Sequence, residues 1–318
     1  MRAAPPVETI LDAIGGTPLV RMRRVIPCDA AAVYAKLESM NPGGSVKDRI
    51  AVAMIDAAER EGRIAPGGHL VEPTSGNTGV ALALACAVKG YRLTLVMPDS
   101  TSIEHRQALE AYGAEIVLTA AEHGFAPTVA RAREIARDTG ALLLDQFANS
   151  ANPAAHRDAT GPELADALGA IGLVPDALVA GVGTGGTMTG AAQALRARHP
   201  HLLVVAVEPE KCAVLSGGAA GPTRIQGLGA GFFPEVLDRR AYDRVVTVAD
   251  EAAWEMKERL SREEGILAGV SSGAAALVSA QLAAELGPGK VIATVFPDSG
   301  ERYFSVAEWF SPRAGSAP

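Results

Sequence analysis

The stretch Gly181-Val182-Gly183-Thr184-Gly185-Gly186-Thr187 lies between an apolar run at 177–181 and an Ala/Leu/Arg-rich stretch at 188–198. The first reads as a strand and the second as a helix, so the glycines form a strand-to-helix turn. Small residues there let the backbone approach a ligand. The helix that follows presents free N–H groups and the positive end of its dipole. An anion, phosphate foremost, is the expected occupant. No Gly-Lys-Ser/Thr follows, which argues against a nucleoside-triphosphate hydrolase. The spacing also approaches a dinucleotide-binding turn, with Glu208 closing the next strand where a ribose-binding acid could sit. A tight turn without ligand is the third reading, and this stretch alone does not choose among them.

The same strand–turn–helix order repeats outward from it. Strands are expected at 33–37, 69–72, 92–97, 115–118, 141–144, 202–207, 244–248 and 290–296, and helices at 47–61, 78–89, 105–112, 127–139, 251–264 and 272–286. Near-continuous apolar strands alternating with helices predict an α/β protein of parallel sheets covered on both faces. An Asn/Ser/Pro-containing loop near 149–153 divides the chain into an α/β domain at 1–150 and a second at 151–318, which carries the glycine turn. The last residues, 311–318, are expected to fray. Three more small-residue loops follow expected strands: NPGGSVK (41–47), PTSGNTG (73–79) and GVSSG (269–273). Ligands in open parallel sheets bind beyond the carboxyl ends of strands, so the four loops should converge on one crevice.

Composition bounds the rest. The chain has 318 residues, 48% of them hydrophobic, enough for a core without disulfide or metal staples. A net charge of −7 argues against a nucleic-acid binder. Cys28, Cys86 and Cys212 form no Cys-x-x-Cys, and their odd number gives no disulfide framework, which suits a reducing, cytoplasmic compartment. His199-Pro200-His201 has no further ligand at metal-site spacing, so no metal is expected. The N-terminus lacks the apolar core of a signal peptide. The longest apolar run, 80–88, is far short of the ~20 residues that span a bilayer, so no membrane association is expected. Only six of the 29 basic residues are lysines. Five read as surface charge.

The sixth is Lys47, at the start of an expected helix, where the macrodipole disfavours a cation. It is either a surface lysine beside Asp48 or an amine of lowered pKa poised as a Schiff-base nucleophile. A phosphorylated aldehyde needs both such a lysine and a phosphate cup, and pyridoxal 5′-phosphate (PLP) fits both. Thr74-Ser75-Gly76-Asn77-Thr78-Gly79 supplies more hydroxyl and amide groups than one N-cap needs, and so suggests donors for a carboxylate and a ring hydroxyl. Ser271-Ser272-Gly273 is either a plain cap or a neutral hydroxyl facing a ring nitrogen.

Together these motifs resemble the cysteine synthase (O-acetylserine sulfhydrylase) group of fold-type II PLP enzymes, with cystathionine β-synthase a more distant relative. The resemblance runs from Gly16-Thr17-Pro18-Leu19 to Ser299-Gly300-Glu301-Arg302-Tyr303. Between them lie NPGGSVKDR (41–49), EPTSGNTG (72–79), Ser102-Ile103-Glu104, Gln146-Phe147, Asn152-Pro153, GVGTGGT (181–187), IQGLGAGF (225–232) and EGILAGVSSG (264–273). It implies two open, twisted, mostly parallel sheets flanked by helices, the tryptophan synthase β-like fold. The first strands, about 17–40, would cross to the C-terminal sheet, and a mobile part, about 90–140, would close on substrate. Lys47 would hold PLP as an imine and act as the base. Asn77 would bind the ring 3′-oxygen, and Gly183, Thr184, Gly185, Gly186 and Thr187 the phosphate. Ser271 would face the pyridine nitrogen. Thr74, Ser75, Gly76, Asn77, Thr78 and Gln146 would hold the substrate carboxylate, and Gly227 would line the mouth. The implied reaction is β-replacement on O-acetyl-L-serine through an α-aminoacrylate, most simply with sulfide. A homodimer, with serine acetyltransferase as a possible partner, is implied too.

The sequence departs from the family pattern at three places. Thr101 and Phe125 stand where methionines are usual in the nucleophile pocket, and His105 where arginine is usual. Thioether surface suits a soft sulfide. A hydroxyl offers a donor and an acceptor, so an alternative is an O-ureido-L-serine synthase using hydroxyurea, or a related enzyme with another polar nucleophile.

Overall fold

The computed structural model of the protein describes residues 6–310 except 75 and 124. Ser75 and the tail at 311–318 lie outside the described residues. β1 (Leu19–Met22) and β2 (Ala32–Leu37) form an antiparallel pair with Leu19 opposite Lys36. Next come α1 (Lys47–Arg60), β3 (His69–Pro73), α2 (Asn77–Lys89), β4 (Arg92–Pro98), α3 (Ile103–Ala111), β5 (Glu115–Thr119), α4 (Ala126–Thr139) and β6 (Leu142–Leu143). β3 to β6 make a four-stranded parallel sheet in the order β5-β4-β3-β6.

A helical arm follows, α5 (Ala151–Ala155) and α6 (Gly161–Gly169) joined by a π-helical turn at His156–Thr160. Pro153 is tolerated because it falls in the first turn of α5, where its missing N–H costs nothing. The second half then runs β7 (Ala177–Gly181), α7 (Gly186–Arg198), β8 (Leu203–Pro209), β9 (Arg244–Val248), α8 (Asp250–Arg259), α9 (Val270–Leu286) and β10 (Val291–Phe296). These strands join β1 and β2 in a six-stranded sheet of order β1-β2-β10-β7-β8-β9, parallel except for β1.

The inner parallel strands are buried on both faces, which is why they read as unbroken apolar runs. In β7, Ala177 and Val179 enter one core cluster and Leu178 and Ala180 the other; Ile292 and Ala293 of β10 divide the same way. In the smaller sheet Leu70 and Leu95 face one side, Val71 and Val96 the opposite one.

Strand order sets where a ligand can go. β8 lies on one side of β7 and β10 on the other; β4 lies on one side of β3 and β6 on the other. Each sheet therefore has a topological switch point, where the loops after adjacent strands diverge and leave a crevice. The loops after β7, β10, β3 and β6 are the ones carrying 181–185, Asp298, 74–76 and Gln146.

Candidate active site

Lys47 opens α1, and the residue before it is pinned: Val46 N–H donates to Pro297 O at 2.8 Å, just beyond β10. No hydrogen bond or ion pair reaches Lys47 Nζ from the described residues. Burial holds its ammonium below the ordinary range, opposed by the carboxylates of Asp298 and Glu38. A lysine so placed keeps a larger share of neutral, nucleophilic amine.

Behind it lies a buried ionic cluster. Arg49 reaches Glu38 through Nε (2.6 Å) and Glu163 through Nη1 (2.7 Å), and Lys36 closes the set on Glu163 at 2.7 Å. Lys36 is 1% exposed, and Lys257 is buried against Trp254 with Nζ 4.1 Å from the ring centroid. The reading of these two lysines as surface charge is therefore wrong. The aliphatic stem and a paired head allow a lysine to sit inside.

The 181–187 turn is shaped as a cradle. Gly185 has φ +89°, the left-handed conformation that suits glycine. A Cβ on Gly183 would lie 2.1 Å from Gly227 O, and one on Gly186 1.8 Å from Asn152 Oδ1. Asn152 Nδ2 donates to Thr184 Oγ1 (3.1 Å) and to Gln146 O (2.7 Å). Thr187 Oγ1 is 3.2 Å from His156 Nε2, whose ring is kept neutral by burial and by Lys47 and Arg49. The turn thus opens α7 with small residues and two hydroxyls, the shape and donor chemistry that a phosphate requires.

Asn77, the first residue of α2, donates from Nδ2 to Asp298 Oδ2 at 2.5 Å, while its Oδ1 accepts from Arg302 and from His105 Nε2. Thr78 Oγ1 donates to Gln146 Oε1 (2.7 Å), and Gln146 Nε2 to Pro73 O (3.0 Å). Thr74 Oγ1 accepts from Gly76 N–H at 3.1 Å. Ser271 is 3% exposed in the first turn of α9, next to Gly269, whose N–H donates to Asp298 O at 3.1 Å. Lys47, Asn77 and the turn that opens α9 at Gly269 are therefore gathered around one residue, Asp298, while Lys47 acts on His156 beside the glycine cradle. A free amine, a phosphate-shaped turn, an amide and a neutral hydroxyl together fit a phosphorylated pyridine aldehyde.

Comparison with known proteins decides the family. Residues 10–298 match the description "Pyridoxal-phosphate dependent enzyme". The chain belongs to this family of PLP-dependent enzymes. It is 51% identical to a cysteine synthase of Staphylococcus aureus over 303 residues, 95% of this chain and 97% of that protein. Among solved structures, O-ureido-L-serine synthase superposes with a TM-score of 0.93 at 42% identity, covering 98% of both chains. Cysteine synthase from Entamoeba histolytica superposes with a TM-score of 0.90 at 36% identity, covering 99% of this chain and 96% of that one.

Asp298 is the principal residue of this PLP enzyme's site that sequence reasoning missed. It is fully buried, and burial raises its pKa against hydrogen bonds from Tyr303 and Asn77 and the charge of Arg302. Its Oδ1 has no hydrogen-bond partner among the described residues, and a Cβ on Gly269 would lie 2.0 Å from that atom. Its only sequence signal is its place just past an apolar strand. Glu72 was missed as well: its carboxylate accepts Asp145 and Gln146 N–H, both at 2.9 Å, and so orients Gln146. Burial pushes it up to about 8, against those same hydrogen bonds. Glu208 is no ribose ligand here, because its oxygens accept from Leu215 N, Ser216 N and Ser216 Oγ.

The pocket substitutions are also placed. Thr101 is 5% exposed, and its Oγ1 has no hydrogen-bond partner among the described residues. Phe125 stands edge-on to Phe147 (6.0 Å between centroids), which stands edge-on to Phe232 (5.0 Å). Phe125 thereby links the start of α4 to the segment after Gln146 and to the 225–232 loop. Gly227 has φ +90° and its carbonyl lies against Gly183.

Proposed function

We propose that this enzyme is a cysteine synthase: it replaces the acetoxy group of O-acetyl-L-serine with sulfide, giving L-cysteine and acetate. The observation that carries the reading is Lys47, an amine without a partner among the described residues, held below its ordinary pKa in the crevice where four ligand-shaped loops meet. Lys47 is assigned as the PLP-bearing residue, residues 183–187 as the phosphate site, Asn77 as the partner of the ring oxygen and Ser271 as that of the ring nitrogen. When bound, PLP supplies the electron sink that makes the substrate's Cα–H acidic and lets a β-substituent leave.

The chain's own groups do the rest. Thr74, Ser75, Gly76, Asn77, Thr78 and Gln146 hold the substrate carboxylate. The Thr78–Gln146 hydrogen bond pre-orients two of these side chains before substrate arrives. Closure of the part spanning about 90–140, with Gly227 at the mouth, excludes water. Lys47 Nζ takes the Cα proton; the Cβ–O bond breaks and acetate leaves with the bonding pair. Sulfide then forms the Cβ–S bond and Lys47 returns the proton to Cα. A neutral Ser271 hydroxyl leaves the ring nitrogen unprotonated, which favours β-elimination over transamination. The enzyme is assigned to the cytoplasm, consistent with three free cysteines, and, by likeness to its family, as a homodimer to whose site serine acetyltransferase can dock.

The purified protein should show an absorbance band near ~410–420 nm that is lost on borohydride reduction. It should form cysteine from O-acetylserine and sulfide, and Lys47→Ala should lower turnover by at least ~10³-fold. Absence of the band, or substantial β-replacement by K47A, would refute the assignment.

Thr101 favours a second reading. A buried hydroxyl without a partner costs about 1–3 kcal/mol, a cost that a polar nucleophile bound against it would remove. The likeness to O-ureido-L-serine synthase supports hydroxyurea as that nucleophile. Steady-state rates with sulfide and with hydroxyurea, at fixed O-acetylserine, choose between the two.

A further inference from the structure

None of the steps above uses His105, although it is buried (2% exposed) and bonded through both ring nitrogens. Nε2 lies 3.1 Å from Asn77 Oδ1 and Nδ1 2.5 Å from Ser102 Oγ. Its ring stands edge-on to Tyr303, with 6.0 Å between centroids. Gly76 runs directly against it: a Cβ there would lie 2.8 Å from Nε2. Adjacent Glu104 fastens the same turn of α3, accepting Ser305 N–H at 2.8 Å and Ser305 Oγ–H at 2.6 Å.

The neighbours determine the tautomer. Asn77 Nδ2 donates to the Asp298 carboxylate, which identifies the other end of the amide as its oxygen. An amide oxygen only accepts, so Nε2 carries the hydrogen. In a neutral ring Nδ1 is then an acceptor, and Ser102 donates to it. The ring is neutral because burial, aided by the charge of Arg302, pushes it down to about 3. Asn77 Oδ1 is thus occupied by His105 and Arg302, and one Nδ2 hydrogen by Asp298. The Tyr303 phenol lies against the same amide, which also donates toward it.

We propose that His105 is a positioning residue for PLP: through Asn77 it fixes the orientation in which that amide faces the cofactor ring, and through Ser102 it ties that orientation to the first turn of α3. The proposal rests on the assignment of Asn77 to the ring oxygen. It makes the departure from arginine at position 105 a change in how the cofactor is held.

The test compares apoprotein and PLP-loaded protein for wild type, His105→Phe, which keeps a ring without hydrogen bonds, and His105→Gln, which keeps an N–H near Nε2. The readouts are PLP affinity by fluorescence titration of apoprotein and the absorbance maximum of the loaded form. H105F should bind PLP about tenfold more weakly, the loss of one buried hydrogen bond, with a displaced band. H105Q should stay within about threefold of wild type. H105F matching wild type in both readouts overturns the proposal, as does H105Q weakened as much as H105F, since packing alone would then be the role. If H105F does not fold, Ser102→Ala replaces it and should weaken PLP about threefold; unchanged binding overturns the proposal. A wild-type protein that takes up no PLP overturns the reading of the site itself, whereas failure confined to the variants overturns only the role of His105.

Discussion

Thr101 and Lys47 show what one residue can decide. In the common family pattern a thioether lines position 101; here a hydroxyl stands buried without a partner among the described residues. Thr101→Met should raise sulfide turnover relative to hydroxyurea turnover by about tenfold, one hydrogen bond's worth of discrimination; an unchanged ratio would remove Thr101 from the nucleophile pocket. The oddity of Lys47 was legible in the sequence, because a cation at a helix start works against the macrodipole. Asp298 was not legible: one acid after a strand looks like any other until the fold brings Asn77, Tyr303 and Gly269 to it.

At the scale of elements, most glycines that looked like ligand-binding residues also answer to packing. Gly190 of α7 faces the arm that begins at α5, and a Cβ there would lie 2.1 Å from Pro153 O and 2.7 Å from Arg157 N. Both are backbone atoms, so no rotamer relieves the clash. Helix propensity favours alanine by about 1 kcal/mol, but overpacking costs about 1–3 kcal/mol or more. Gly190→Ala should therefore destabilise by about 2 kcal/mol, read as a lower urea midpoint at unchanged m-value; an unchanged or raised midpoint would show that the arm can yield. The arm was itself hard to read. Helices of five and nine residues, broken by a π-helical turn, carry too short a pattern to announce themselves. That turn matters, since the extra residue sets His156 toward Thr187. β1 left no pattern of its own, being four residues long and largely half-buried at a sheet edge, and was expected only through the resemblance, among the first strands at about 17–40.

For the whole molecule, the cluster of Lys36, Glu38, Arg49 and Glu163 joins β2, α1 and α6 and so fixes where Lys47 begins its helix. Burial pushes the Glu163 carboxyl up, but hydrogen bonds from Arg49 and Lys36 prevail and hold it down to about 2. A depressed carboxylate stabilises the fold above its unfolded pKa, and that stability disappears as pH falls through the folded value. Glu163→Gln should therefore cost about 2 kcal/mol near neutral pH and progressively less between pH ~4.5 and ~2. A deficit that stayed constant with pH would show that the pair does not carry the effect. The α/β class, the parallel strands, the helices outside the arm and the four loops could be read from the amino-acid sequence alone, because these are written in local periodicity and glycine placement. Only the tertiary structure decided which side chains those loops bring together, that Lys36 and Lys257 are buried, and that His105 reaches Asn77. These depend on strand order and helix approach, which are set by packing between segments far apart in the chain and leave no mark on any one stretch of it.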